Sequence, residues 1–183
     1  MFSFGKKTVI GLDIGSSQVK AVELEPHGSN FRLRGFGFAL LPPEAIVQGS
    51  FMNAPAISAA ISEACAMGGF KSKDVVTSVS GHSVIVKRIT LPAQSKEELE
   101  ESIRWEAEQY IPFDVNEVFL DFQILDRPDA DGQMDVLLVA AKKDLINDYL
   151  QVITEAGLNP VIMDVAAFAV SNSFELNYDK NAD

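Results

Sequence analysis

The stretch Asp13-Ile14-Gly15-Ser16-Ser17-Gln18-Val19-Lys20 constrains this chain more than any other. It is a loop of small residues enclosed by two strand-like runs. Thr8–Leu12 before it is apolar and β-branched, and Val19, Ala21, Val22 and Leu24 after it carry strand alternation. The glycine loops of Walker and Rossmann sites open a helix, so this loop is neither. A tight strand-to-strand turn of small residues exposes successive backbone N–H groups, a nest for phosphate oxygens. Gly15 lets a ligand approach the backbone closely, and Ser16 and Ser17 add hydroxyl donors. Asp13 would hold a divalent metal through water, and Lys20 would lie against phosphates as a point charge. Asp, Gly and Ser are also the common residues of an ordinary hairpin turn, so the loop alone leaves both readings open.

The order of elements around the loop narrows the fold. Pro26–Asn30 is a turn cluster, and Phe31–Leu41 reads as a third strand, giving an antiparallel meander. Ala54–Met67 has helical spacing and ends at Gly68-Gly69. Cys65 sits on its apolar stripe, which points to packing rather than to a reactive thiol. Val75–Ser80 and Val84–Leu91 read as strands. Ser95-Lys96-Glu97-Glu98 is a capping box for a helix running to about Tyr110 and stopped by Pro112. Phe119–Leu125 and Met134–Ala141 form a hairpin about Asp131-Gly132. Asp144–Ala156 is an amphipathic helix with Gly157 as its cap, Val161–Val165 a buried strand and Ala166–Leu176 a last helix.

Composition removes several classes of function. With 26 acidic against 15 basic residues the formal charge is -11, which argues against general nucleic-acid binding. One cysteine allows neither an internal disulfide nor a thiolate cluster, and His27 and His82 are too few for the usual zinc sites. The N-terminus has its lysines after its aromatics, unlike a secretory signal, and no apolar run approaches the roughly 20 residues that span a bilayer. A cytoplasmic protein is expected.

With three strands in a row and a lysine seven residues after the aspartate, Asp13, Gly15, Ser16 and Lys20 resemble the first phosphate loop of the actin/Hsp70/hexokinase superfamily. Further on, Val86-Lys87-Arg88-Ile89-Thr90-Leu91-Pro92 and Glu106-Ala107-Glu108-Gln109-Tyr110-Ile111-Pro112-Phe113 are similar to the type IV pilus assembly protein PilM family. That family is itself similar to the cell-division protein FtsA. The resemblance implies an α/β fold of the actin/Hsp70/RNase H-like type, with subdomain 1A in residues 1–82 and 136–183. An FtsA-type α+β subdomain 1C is inserted at 83–135. It further implies ATP and Mg2+ bound by Asp13, Gly15, Ser16, Ser17 and Lys20, with Asp13 serving the metal. The partner implied is the N-terminal cytoplasmic tail of PilN, in a groove between the two subdomains, alongside other pilus platform and motor proteins. Such a protein is peripheral at the bacterial inner membrane.

The superfamily clamps its nucleotide between two loops. The other candidate, Asp131-Gly132-Gln133, lacks a preceding apolar strand, so the chain looks like the first half alone and weak nucleotide binding is expected. A non-enzymatic scaffold is the leading reading; an ATPase or kinase fragment, in which Asp164 lies in a plausible place, and an FtsA-like filament protomer compete with it. The candidate partner face is Arg88, Trp105, Glu108, Tyr110, Ile111, Pro112 and Phe113. Leu99, Ile103, Ala107 and Tyr110 make the core stripe of the inserted helix, at about 100° per residue. Trp105 lies off it, so it either packs on a second layer or waits for a partner. Ile111-Pro112-Phe113 reads as an extended apolar exit, suited to accepting a peptide by strand addition. The acidic first turn, Glu97, Glu98, Glu100 and Glu101, reads as solvated and favoured by the helix dipole.

Overall fold

The computed structural model describes residues 8–28, 30–125 and 132–178. It divides into two compact units, Met1–Ser80 with Asp148–Asp183, and Gly81–Asn147.

The first unit is built on a five-stranded sheet in the order β10-β6-β1-β2-β3. Strands β1 (Ile10–Ile14), β2 (Gln18–His27) and β3 (Asn30–Leu40) form the expected antiparallel meander, while β6 (Asp74–Val79) and β10 (Asn159–Val165) run parallel to β1. A small hairpin, β4 (Ile46–Val47) with β5 (Ser50–Phe51), precedes helix α1 (Ala54–Gly68). Asn53 caps α1 by accepting from the Ala56 N–H at 3.1 Å, and Gly69 closes it at φ 66, a left-handed conformation that glycine adopts without a Cβ clash.

Alternation puts Ile10, Leu12, Val19 and Ala21 on the sheet face that meets Ile57 and Ile61 of α1 and Val152 and Ile153 of α3 (Lys143–Glu155). Burying each such aliphatic side chain stabilises the fold by about 1.5–3 kcal/mol. The polar groups among them are satisfied: Ser58 donates to the Val152 carbonyl at 2.8 Å and Thr77 to that of Leu12 at 2.8 Å. Cys65 is half-buried against this core, and desolvation pushes its thiol pKa up, as the packing reading expects. Helix α4 (Ala166–Asn177) packs on β10 and β6, and Phe36, Phe38 and Leu40 of β3 stay exposed.

The second unit is a three-stranded antiparallel sheet, β7-β9-β8, with one helix on it. Its elements are β7 (Val84–Pro92), α2 (Lys96–Ala107), a 3-10 turn (Val115–Glu117), β8 (Val118–Ile124) and β9 (Gln133–Lys142). Leu99, Ile103 and Ala107 of α2 pack with Ile89, Leu91, Val136 and Leu138. The capping box forms as expected: Ser95 Oγ accepts from the Glu98 N–H at 3.2 Å, and Glu98 Oε2 accepts from the Ser95 N–H at 2.8 Å. β8 and β9 pair as expected, but Asp131 of the anticipated turn lies outside the described residues.

Three expectations need correction. The inserted unit runs from Gly81 to Asn147 rather than over 83–135, because β9 pairs along its whole length with β7, from Pro92 opposite Gln133 to Val84 opposite Ala141. A boundary at Val136 would cut that strand. Helix α2 ends at Ala107 rather than near Tyr110; the Tyr110 and Ile111 N–H groups both close onto the Ala107 carbonyl, at 2.9 and 3.0 Å. Pro112 disfavours helical backbone at Ile111 and turns the chain out early. Finally, Ile111 is not part of an open exit: it is 7% exposed and lies in the core of this unit, with Phe113 half-buried against the same cluster.

Candidate functional site

The loop between β1 and β2 is built by the register of those strands. Ile14 pairs with Val19 and Asp13 with Lys20, so the aspartate and the lysine are cross-strand neighbours on one face. Lys20 Nζ donates to Asp13 Oδ2 at 2.8 Å, with both side chains substantially exposed. The Gly15 N–H closes the turn onto the Gln18 carbonyl at 3.1 Å, and the Ser17 carbonyl accepts from the Leu41 N–H at 2.9 Å. The Gly15 donor that the sequence offered to a ligand is therefore spent inside the turn. The Ser16 and Ser17 N–H groups have no acceptor among the described residues and remain, with their hydroxyls, as donors at the loop tip. A Cβ on Gly15 would sit 3.2 Å from the Gln18 carbonyl oxygen, so the turn itself favours glycine here.

Asp13 and Lys20 stand at a cleft of about 390 Å³ on the face opposite α1. Gly11, Val22, Phe36 and Val76 give it an apolar floor and side, and Asp164 from β10 also lines it. Sequence reasoning placed Asp164 near the loop only by its position after an apolar strand. The parallel pairing of β10 on β6, and of β6 on β1, brings it there. The donor set suits a phosphate: two free N–H groups, two hydroxyls and a cation. For a metal the loop supplies one carboxylate, already paired with Lys20, and no group of three or more metal-ligating side chains occurs among the described residues. Tyr149 is half-buried against Phe51, ring centroids 4.7 Å apart, and its phenol pKa is raised by desolvation first and by the Asp13 charge second.

The candidate partner residues of the second unit divide between two faces and a core. Ile89 and Leu91 point toward α2, so alternation sends Arg88 to the far face of the sheet, where it pairs with Asp135. The Arg88 guanidinium and then the Thr90 hydroxyl hold the Asp135 carboxyl below the usual carboxylate range. Arg88 and Trp105 therefore do not share a surface. Tyr110 is half-buried with Lys87 Nζ 5.3 Å from its ring centroid, and Phe113 lies beneath Lys142 Nζ at 4.6 Å. Trp105 is 74% exposed, so it packs on no second layer among the described residues. Glu108 and Pro112 are exposed too, so the accessible part of the predicted set is Trp105, Glu108 and Pro112 together with Arg88 on the far face of the sheet.

The five-stranded sheet with its meander-borne loop and inserted α+β unit defines a mixed α/β protein of actin-like fold. Within that fold the chain belongs to the type IV pilus assembly protein PilM family, which it matches over residues 11–182. It is similar to the PilM-PilN type IV pilus biogenesis complex at 34% identity and a TM-score of 0.81, over 91% of this chain and 50% of that one. A more distant likeness, 12% identity and TM-score 0.58 over 86% of this chain and 57% of the other, links its fold to the cytoplasmic domain of EpsL. EpsL is an inner membrane component of the type II secretion system of Vibrio cholerae. The chain spans about half the length of the PilM structure it matches. Among the described residues no helix is long and apolar enough to cross a membrane.

Proposed function

We propose that this chain acts as a scaffold in type IV pilus assembly, docking the N-terminal cytoplasmic tail of PilN on its inserted unit and so standing at the inner membrane through its partners. The observation that carries this reading is the 34% identity, over 91% of the chain, to a protein solved together with PilN. The exposed Trp105, Glu108 and Pro112 supply an accessible surface for such a tail. Motor and platform proteins of the same machine are the further partners in this reading.

The β1–β2 loop is the place for ATP in a longer form of the protein. Ser16 and Ser17 would hold phosphate oxygens, Lys20 would lie against them, and Asp13, released from Lys20, would hold Mg2+ through water. The bound ion would supply charge neutralisation for the phosphates. One loop exposed to water gives weak affinity, because its donors compete with solvent. A titration with a synthetic PilN tail peptide, read by Trp105 fluorescence and by calorimetry, tests the docking. Trp105 is the only tryptophan, so a saturable change reports on the inserted unit. Absence of binding by both methods removes PilN as the partner of this chain.

Asp164, which lines the same cleft as Asp13, favours a second reading, an ATPase, since a carboxylate held near a bound phosphate can act as general base toward water. Phosphate release by the purified protein, abolished by Asp164→Asn, would replace the scaffold reading with that one.

A further inference from the structure

We infer that the outward face of α2 is a docking surface for a cationic peptide segment, with Trp105 as its platform. Glu97, Glu101 and Trp105 follow one another at four-residue steps and Glu108 comes three residues later, so all four lie on one stripe of the helix, opposite Leu99, Ile103 and Ala107. Each is exposed, and none of the three glutamates has a partner among the described residues. Trp105 is 74% exposed, and the face of an indole attracts a guanidinium or ammonium group.

The neighbouring charges are accounted for. Lys96 pairs with Glu100 at 3.6 Å, and Glu98 is bound into the capping box. Arg104, the nearest cation along the helix, donates instead to the Val115 carbonyl and to Asn116 Oδ1, each at 3.3 Å. What remains on the stripe is an aromatic face flanked by unpaired carboxylates. Arginine is the best fit, since its planar guanidinium stacks on the indole while its edge donates to a carboxylate. The inference deepens the docking reading, which uses the same Trp105 and Glu108, by naming the chemistry of the face; a tetra-arginine probe tests it whether or not a PilN tail binds.

The test uses an N-acetylated tetra-arginine amide, with tetra-glutamine as control, titrated into the whole chain while Trp105 fluorescence and calorimetric heat are followed. Saturable binding of tetra-arginine alone is expected. Glu97→Gln/Glu101→Gln/Glu108→Gln should weaken it about tenfold, because the charges that attract the cation are gone. Neutralising the same number of exposed carboxylates elsewhere, Glu44→Gln/Glu63→Gln/Asp148→Asn, should change it less than about threefold, since distant exposed charges are screened. Trp105→Ala should abolish the calorimetric signal, and Trp105→Phe should keep part of it. No saturable binding overturns the inference. So does equal weakening by the two triple variants, which would mean that the peptide answers only to the -11 net charge.

Discussion

Asp13 and Lys20 are a pair that, under the proposed function, would serve structure and ligand in turn. Cross-strand partners at 2.8 Å, both well exposed, they form an ion pair of the kind worth only about 0–1 kcal/mol. Lys20→Ala should therefore lower stability by less than about 1 kcal/mol in urea unfolding. The same change should cost a form of the protein that binds ATP about tenfold or more in affinity, measured by calorimetry, since a charge-assisted phosphate contact is lost. Comparable losses in both measurements would mean that Lys20 is structural. Glu98 gives a second residue-level prediction, on pH. Its carboxylate is held below the usual range by the Ser95 N–H and then by the Ser95 hydroxyl. A group whose folded pKa is depressed stabilises the fold above its unfolded value and loses that contribution as pH falls through the folded one. Thermal melts between about pH 5 and pH 3 should show α2 weakening in acid. Glu98→Gln keeps a capping acceptor but no titrating group, so its melting temperature should vary less over that range.

At the scale of elements, close approach is the sharpest constraint. Helix α1 crosses β3 at Gly35 and Gly37, where a Cβ on Gly37 would stand 2.0 Å from the Ala64 carbonyl oxygen. Gly37→Ala must push helix and strand apart, and a loss of about 3 kcal/mol or more is expected in denaturant melts. Helix α2 offers a contrast between its faces. Ile103→Ala should cost about 2–5 kcal/mol, while Trp105→Ala, on the exposed face, should fall within about 0.5 kcal/mol of the parent. This is also the scale at which the sequence was most readable. Alternation in β1 and β2, the Ser95–Glu98 box and the Leu99–Ile103–Ala107 stripe are local patterns, and local patterns are what periodicity reports. Ile111 and Phe113 were misread because, beyond the end of a helix, no period tells core from surface; only the fold of the chain back over β8 and β9 buries them. The loop at Asp13 was legible as a phosphate-type turn, but the spending of its Gly15 donor on Gln18 depends on a turn geometry that residue types alone do not determine.

For the whole molecule, the connection of the two units decides how they share stability. β7 leaves the first unit after Ser80, and β9 returns beside it: Val84 pairs with Ala141, and the Lys142 N–H donates to the Ser83 carbonyl at 2.9 Å. The two ends of the inserted segment therefore meet, and closing them costs the host fold little chain entropy. What is left without that segment is β1, β2 and β3, the β4–β5 hairpin, α1 and β6, followed by α3 from Asp148 on, β10 and α4, with a five-stranded sheet that needs no residue from β7, β8 or β9. Each unit also has its own closed hydrophobic cluster. Separate cores with adjoining ends predict separate openings. Leu138→Ala, at a fully buried position of the inserted unit, should destabilise that unit by about 2–5 kcal/mol. In hydrogen exchange it should speed the amides of β7, β8 and β9 and leave those of β1, β2 and β6 at their parental rates. Ile61→Ala should do the reverse. If either substitution accelerates both sets equally, the two clusters open as one cooperative body, and a partner bound to the inserted unit would then also stabilise the loop at Asp13.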